Sequence, residues 1–261
     1  MLPSLYINRR SPMHALHPIT KLVGMVCFFV AAFVSEQPFA LAPLGLAVAA
    51  LLYMAGAWSN VVRLRTLFFL VFVMTFVVWS LFYRGGTAWM AWGPIALGPT
   101  SLTFALGMAM KLATFLAVGL VFLSTMRIEE FAYALTQLGV PYKLGFTMTL
   151  AFRLVPVFLD AAGTVVQAQR CRGFNFDEGN LLERVRRYVP VIVPVFMGAL
   201  RRADGMAMAL EARGFQSRRP RTIYERFRFG TSDAVALLVV LSVATLYLGM
   251  WHRGYTMIVV Q

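Results

Sequence analysis

Five apolar runs restrict this chain more than any other feature it has. They occupy residues 22–34, 39–57, 66–82, 102–125 and 234–251. A helix rises 1.5 Å per residue and the hydrocarbon layer is about 30 Å thick, so roughly 20 residues cross it. Only the first run is clearly short for a crossing. With 59% hydrophobic and 13% charged residues and a mean hydropathy of +0.71, the balance is that of a polytopic membrane protein, not a soluble domain. The basic start and short first run could mimic a signal peptide. Another apolar run follows at once and no small-x-small cleavage site separates them, so residues 22–34 read as a span.

Charge placement then orients the chain. Arg9, Arg10 and Lys21 precede the first span, Arg63 and Arg65 lie between the second and third, and a large basic block follows the fourth. The opposite loops carry only Glu36 and Arg84. Basic loops stay cytoplasmic, so the N-terminus is expected inside and the C-terminus outside. The net charge of +13 is then explained by residues beside anionic lipid headgroups, and nucleic acid is not expected as a partner. Trp89, Trp92 and several Gly and Pro residues make 84–101 an aromatic interfacial loop, partly re-entrant in one reading.

The segment between spans four and five is the unusual part. The expected division is a membrane domain over 1–126, a cytoplasmic helical module over 127–230 and a last span within 231–261. Glu129 and Glu130 suit the first turn of a helix that Gly139 ends, and Pro141 starts the next. Residues 144–159 are oily, but Arg153 and Pro156 interrupt them and 16 residues are few for a crossing. A crossing there would also put the 13 basic residues from Arg170 to Arg228 on the wrong side. That helix is therefore expected along the membrane interface or under the bundle. A more polar helix continues to Arg172. A turn-rich acidic loop follows over 175–180, then a long helix to Arg213, and a basic stretch, 217–228, leads back to the membrane. Gly198, Ala203, Gly205 and Ala207 are small enough on that long helix to let another helix come close.

Within this module Cys171-Arg172-Gly173-Phe174 recurs 41 residues later as Ala212-Arg213-Gly214-Phe215. Composition alone would give about 0.14 copies of Arg-Gly-Phe. Glycine after a last helical turn suits a left-handed cap, and an arginine there suits the helix dipole. The cap by itself accounts for each copy. The repetition in one module adds a second reading: two planar cationic forks presented to acidic grooves of a partner. Arg253-Gly254-Tyr255 looks similar but falls on the other side of the membrane.

Lys111 is the one ionisable residue well inside a span, about nine residues from its outer end, which calls for a partner within the bundle. A contact to another membrane protein and a bond to backbone carbonyls both fit it. Cys27 and Cys171 lie in unlike surroundings, and His14, His17 and His252 are scattered. No disulfide, metal site or cofactor is expected. No paired carboxylates or activated nucleophile point to an intramembrane enzyme, and no two-fold pattern of interrupted spans points to a secondary transporter.

Several local sequences resemble one family, the transmembrane T component of energy-coupling factor (ECF) transporters, also called the EcfT/CbiQ family. They are Leu-Gly-Val-Pro at 138–141, Phe-Arg-Leu-Val-Pro at 152–156, Ala-Gln-Arg-Cys-Arg-Gly at 168–173, Arg-Tyr-Val-Pro at 187–190, Leu-Arg-Arg-Ala at 200–203 and Met-Ala-Leu-Glu-Ala-Arg-Gly-Phe at 208–215. His17-Pro18-Ile19-Thr20-Lys21 is similar to the family's Asp-Pro-Arg-x-Lys, with His and Ile departing. The family signature is two Ala-Arg-Gly motifs ending two cytoplasmic coupling helices. Ala212-Arg213-Gly214 matches in full, and Cys171 replaces Ala in the first copy.

The resemblance implies an all-α membrane subunit that hydrolyses no ATP itself. Its two motifs would dock two cytoplasmic ABC-type ATPases. Its coupling helices would carry their movement to one small membrane-embedded, substrate-binding S component. The family's substrates are vitamins, their precursors, and nickel or cobalt ions, and the location implied is the bacterial inner membrane. The competing expectation is the permease subunit of a conventional ABC importer, which typically has one coupling helix per chain.

Overall fold

The computed structural model describes residues 6, 7, 9, 11–83, 90–92, 95–176, 180, 186–215 and 229–253. The acidic turn at 177–179, the basic stretch 217–228, residues 84–89 and Gly254 of the third Arg-Gly pair lie outside them. Ten helices are described: α1 Pro12–Ala15, α2 Pro18–Val34, α3 Pro38–Met54, α4 Trp58–Arg63, α5 Arg65–Phe82, α6 Pro99–Thr125, α7 Ile128–Gln137, α8 Tyr142–Cys171, α9 Val189–Ala212 and α10 Thr231–His252. The fold is all-α apart from one antiparallel hairpin, β1 Met90–Trp92 with β2 Ile95–Leu97, in register Met90 to Leu97. That hairpin stands where the sequence suggested only a loop. The helix after it also starts earlier than its apolar run. Pro99 supplies a preset φ at its first turn, and the Gly98 amide donates to Ser101 Oγ at 2.8 Å.

Four helices are long and apolar enough to cross a membrane: α5, α6, α8 and α10. Two shorter apolar helices, α2 and α3, have 17 residues each, the lower end of what a crossing needs. α8 is one continuous 30-residue helix that runs through Pro156. The sequence suggested a short oily helix with a more polar continuation.

Contacts divide the chain into two compact units: Met1–Gly139 with Phe227–Gln261, and Val140–Arg226. α7, expected with the central module, belongs to the first unit and packs on α2.

In the first unit α6 is the central helix, touching α2, α3 and α5, while α10 lies along α2. The core is small-residue packing. Ala31, Ala32, Ala40, Leu41 and Leu44 form one cluster with Tyr247, and Leu52, Ala55, Ala57 and Leu120 form another. Alanines let backbones approach, which matters where lipid supplies no hydrophobic drive between helices. Several hydroxyls bond within their own helices, as in Ser35 Oγ to the Ala31 carbonyl at 3.0 Å and Thr114 Oγ1 to that of Met110 at 2.8 Å. Outward faces stay oily: Phe69, Leu70 and Met74 on α5 are all exposed. Such a face suits acyl chains, not water.

The helix ends that sequence assigned to the basic side meet in one polar knot. Lys21 is buried, and its ammonium donates to three oxygens: the carbonyls of His14 at 3.0 Å and Thr125 at 3.1 Å, and Glu130 Oε2 at 2.9 Å. It thereby ties the starts of α2 and α7 and the ends of α1 and α6. Beside it the His17 amide donates to Asp233 Oδ1 at 2.6 Å, and Asp233 Oδ2 accepts from the Gly230 amide at 2.9 Å. That brings in α10. Asn60 on α4 donates to Ser124 Oγ at 2.9 Å, and the Ile7 amide donates to the Ser124 carbonyl at 3.2 Å.

At the other end α6 outreaches its neighbours. Gly107 lies against the Glu36 carbonyl in the α2–α3 turn, where an added Cβ would overlap that oxygen. Two predictions follow from these contacts, each read by unfolding in detergent. Lys21→Met and Glu130→Leu should each cost about 3 kcal/mol, because each strands a buried charge, and the double variant should recover most of the loss. Additive losses in that cycle would show that the pair is not coupled. Gly107→Ala should cost about 1–3 kcal/mol through overpacking. Gly119→Ala, on the same helix with open space around it, should be neutral or mildly stabilising.

Candidate functional site: two arginine helix ends

Both Arg-Gly-Phe copies fold into the same cap. α8 ends at Cys171, Arg172 follows at φ −81°, and Gly173 turns left-handed at φ +81°. The Gly173 amide donates to the Arg170 carbonyl at 2.9 Å, and the Phe174 amide to that of Gln169 at 3.0 Å. α9 ends at Ala212, with Arg213 at φ −84° and Gly214 at φ +72°. The Gly214 amide donates to the Glu211 carbonyl at 2.9 Å, and the Phe215 amide to that of Leu210 at 2.9 Å. These are two Schellman caps with matching bond patterns. Glycine is required because a Cβ at this φ meets the following carbonyl. In both copies the arginine is the last residue before the chain reverses, and Cys171, Arg172, Ala212 and Arg213 are all exposed. Cys171 occupies the position of Ala212 with no change in the cap.

The phenylalanines anchor each tip to the second unit. The Phe215 ring lies 4.7 Å from that of Phe146 and 6.4 Å from that of Tyr142, at the start of α8. At the other end Phe174 packs on Phe176 at 5.1 Å, and buried Phe176 packs on Tyr188 at 5.0 Å, just before α9. Arg187 Nη1 donates to the Asn175 carbonyl there at 2.7 Å. The two helices therefore run in opposite directions, each tip beside the other helix's start. From Phe146 to Cys171 the rise along α8 is about 40 Å, so the two arginines stand far apart.

The packing expected of Gly198, Ala203, Gly205 and Ala207 is not found among the described residues. All four are exposed, and a Cβ at Gly198 or Gly205 would meet nothing within 4 Å. The less exposed stripe of α9 is instead Val191, Val195, Ala199, Met206 and Leu210, at helical spacing. That stripe holds the helix, and Gly198, Ala203, Gly205 and Ala207 lie off it. α9 also leaves Ile192, Val193, Phe196, Met197 and Leu200 exposed.

Lys111 is buried, with its ammonium 5.5 Å from the centre of the Phe33 ring. The nearest acid to act on it by charge is Glu36, in the α2–α3 turn. Lys111 is also less deep than its place in a long run suggests. Gly107, level with the turn, is one helical turn away, about 6 Å.

Sequence reading treated Lys21 as a topological charge and missed its structural bonds. The signal was present in the His-Pro-Ile-Thr-Lys resemblance. Glu130, which accepts from Lys21, and Asp233, which accepts from the His17 amide, lie more than 100 residues away and leave no local trace. Arg127, at the entry to α7, donates through Nε to the Tyr6 hydroxyl at 2.9 Å. That bond, with the charges of Glu129 and Glu130 behind it, pushes the guanidinium pKa above its usual value.

Comparison with known proteins agrees with this arrangement. The family described as "Cobalt transport protein" (CbiQ) matches residues 9–224. The chain is similar to the energy-coupling factor transporter transmembrane protein EcfT of Limosilactobacillus fermentum, at 30% identity over 250 residues, covering 91% of this chain and 92% of that one. It is similar to EcfT of Bacillus selenitireducens at 31% over 251 residues, covering 90% and 91%. With EcfT of Lactococcus lactis subsp. cremoris it shares 28% over 273 residues, covering 97% and 98%. A family match across both compact units and the two capped arginines, in a chain of bilayer-length apolar helices, makes this a multi-pass membrane protein of the CbiQ family, the transmembrane T component of an ECF transporter.

Proposed function

We propose that the two arginine tips are docking points for two cytoplasmic ABC-type ATPase subunits, and that α8 and α9 are the coupling helices between them. The observation that carries this reading is the pair of matching caps about 40 Å apart on counter-running helices. One partner domain cannot readily fill both positions, whereas two like domains can each take one. A guanidinium fork at a rigid helix end presents planar, permanent charge to an acidic groove.

The same geometry bears on how the helix pair lies. If α8 crossed the membrane, its arginine and that of counter-running α9 would face opposite aqueous sides. Two ATPases on one side require the pair to lie along the interface. The basic residues of the unit favour the cytoplasmic side. The N-terminus is then inside and the C-terminus outside, in a bacterial inner membrane.

The exposed apolar face of α9 at Ile192, Phe196 and Leu200 is a surface for a small membrane-embedded S component. Closure of the ATPase pair on ATP would shift the two tips, and the helix pair would pass that displacement to the S component. This chain contributes no ATP hydrolysis of its own. The substrate is a micronutrient held by the S component: a vitamin, a vitamin precursor, or a nickel or cobalt ion. Lys111, buried against the Phe33 ring and within the influence of the Glu36 charge, suits a contact with the same partner near the outer turn.

Copurification tests the assignment. Arg172→Ala and Arg213→Ala should each release one ATPase subunit, and the double variant both, with unchanged melting temperature. A double variant that still holds both subunits and transports normally would remove these residues from the role. A symmetric dimer of this chain would point to a conventional importer permease. Gly214→Val keeps Arg213 but forbids the cap at a cost of about 1–2 kcal/mol. It should weaken docking of one ATPase only, which separates tip geometry from charge.

A further inference from the structure

The first unit contains a cavity of about 240 Å³ between the basic-end halves of α2, α3, α6 and α10. Gly24 and Phe28, Val48, Val118 and Val240 wall it, and Leu16, just after α1, also lines it. The polar groups along it offer nothing to an ion or polar solute. The Lys21 ammonium already donates to three oxygens, and the Thr20 hydroxyl is itself shielded from the space.

The cavity has a side opening. α3 and α10 touch near their other ends, where the Tyr247 hydroxyl donates to the Ala40 carbonyl at 2.7 Å and Tyr247 joins the Leu41 and Leu44 cluster. Toward the basic end they stand on opposite walls of the cavity. Val239 both lines the space and is 56% exposed, so the gap reaches the flank of the bundle there. Val235 and Leu238 continue that flank as exposed apolar surface. Eight residues separate Val239 from the start of α10, about 12 Å along the helix. The opening therefore faces hydrocarbon. An apolar void is left dry by water but is filled by an apolar ligand that can reach it.

We infer that this cavity is an acyl-chain site, entered between α3 and α10 by a chain of a surrounding bilayer lipid. The occupant follows from continuity: the mouth opens onto the lipid-facing flank, and the walls are as apolar as the chain. It acts as a wedge in the V between α3 and α10, next to the Lys21 knot. The inference stands on the membrane placement of the first unit and is independent of which partners bind the arginine tips.

The test uses the full chain in phosphatidylcholine proteoliposomes doped with a phosphatidylcholine that carries a diazirine in mid-chain. After irradiation, adducts are mapped by peptide mass spectrometry. Adducts are expected on Phe28, Val48 and Val240, as well as on outward-facing Phe69 and Leu70. Gly24→Leu should abolish the interior adducts and keep the outward ones. A Cβ at Gly24 clears Val240 by 4.0 Å, and the longer side chain then enters the cavity. Ala236→Leu fills the same space from α10 and should behave alike if Gly24→Leu fails to fold. Labelling confined to outward faces in the unaltered chain would overturn the inference, as would interior adducts that persist in a folded filling variant.

Discussion

The membrane unit depends on one buried ammonium. Lys21 donates to two helix-end carbonyls and one carboxylate. Such an arrangement is costly to desolvate and stable only when every donor finds an acceptor. Here the acceptors come from three different helices, so satisfying the charge also sets where those helices end. Asp233 does the same for α10 by accepting the His17 amide. Alanine-rich packing further along the bundle gives close contact but little directional information. The polar end supplies the register that the oily middle lacks.

The second unit is organised differently. Its described residues bury little, and its long helices keep much apolar surface open. What defines it is the pairing of each helix end with the other helix's start through aromatic side chains, Phe215 on Phe146 and Phe176 on Tyr188. The caps convert a flexible repeat into two rigid, widely spaced cationic points. Both caps lie within the stretch that the family model matches.

Helix existence and the two caps were legible from local chemistry. Proline starts, glycine stops and apolar runs marked most helices, and Arg-Gly-Phe marked both Schellman turns, because these signals act within a few residues. The continuity of α8 was less legible, since Pro156 and Arg153 suggested an interruption that the helix does not make. Which face of α9 meets α8 was not legible either: Gly198, Ala203, Gly205 and Ala207 lie exposed, off that face. Residue size tells how closely a helix can be approached, not which face is approached.

The sequence by itself determined that this chain is a membrane protein, and that two arginines end two helices in the same way. Both follow from short-range physics: the transfer of apolar runs out of water, and backbone conformations open to glycine. Only the tertiary structure decided that the arginines stand about 40 Å apart. It also joined Lys21 to Glu130, set Lys111 over the Phe33 ring, and left an apolar space between α3 and α10. Those outcomes depend on which helices meet and at what height. Contacts between segments distant in sequence set this, 109 residues apart for Lys21 and Glu130 and 207 for Ala40 and Tyr247, and no local pattern encodes them.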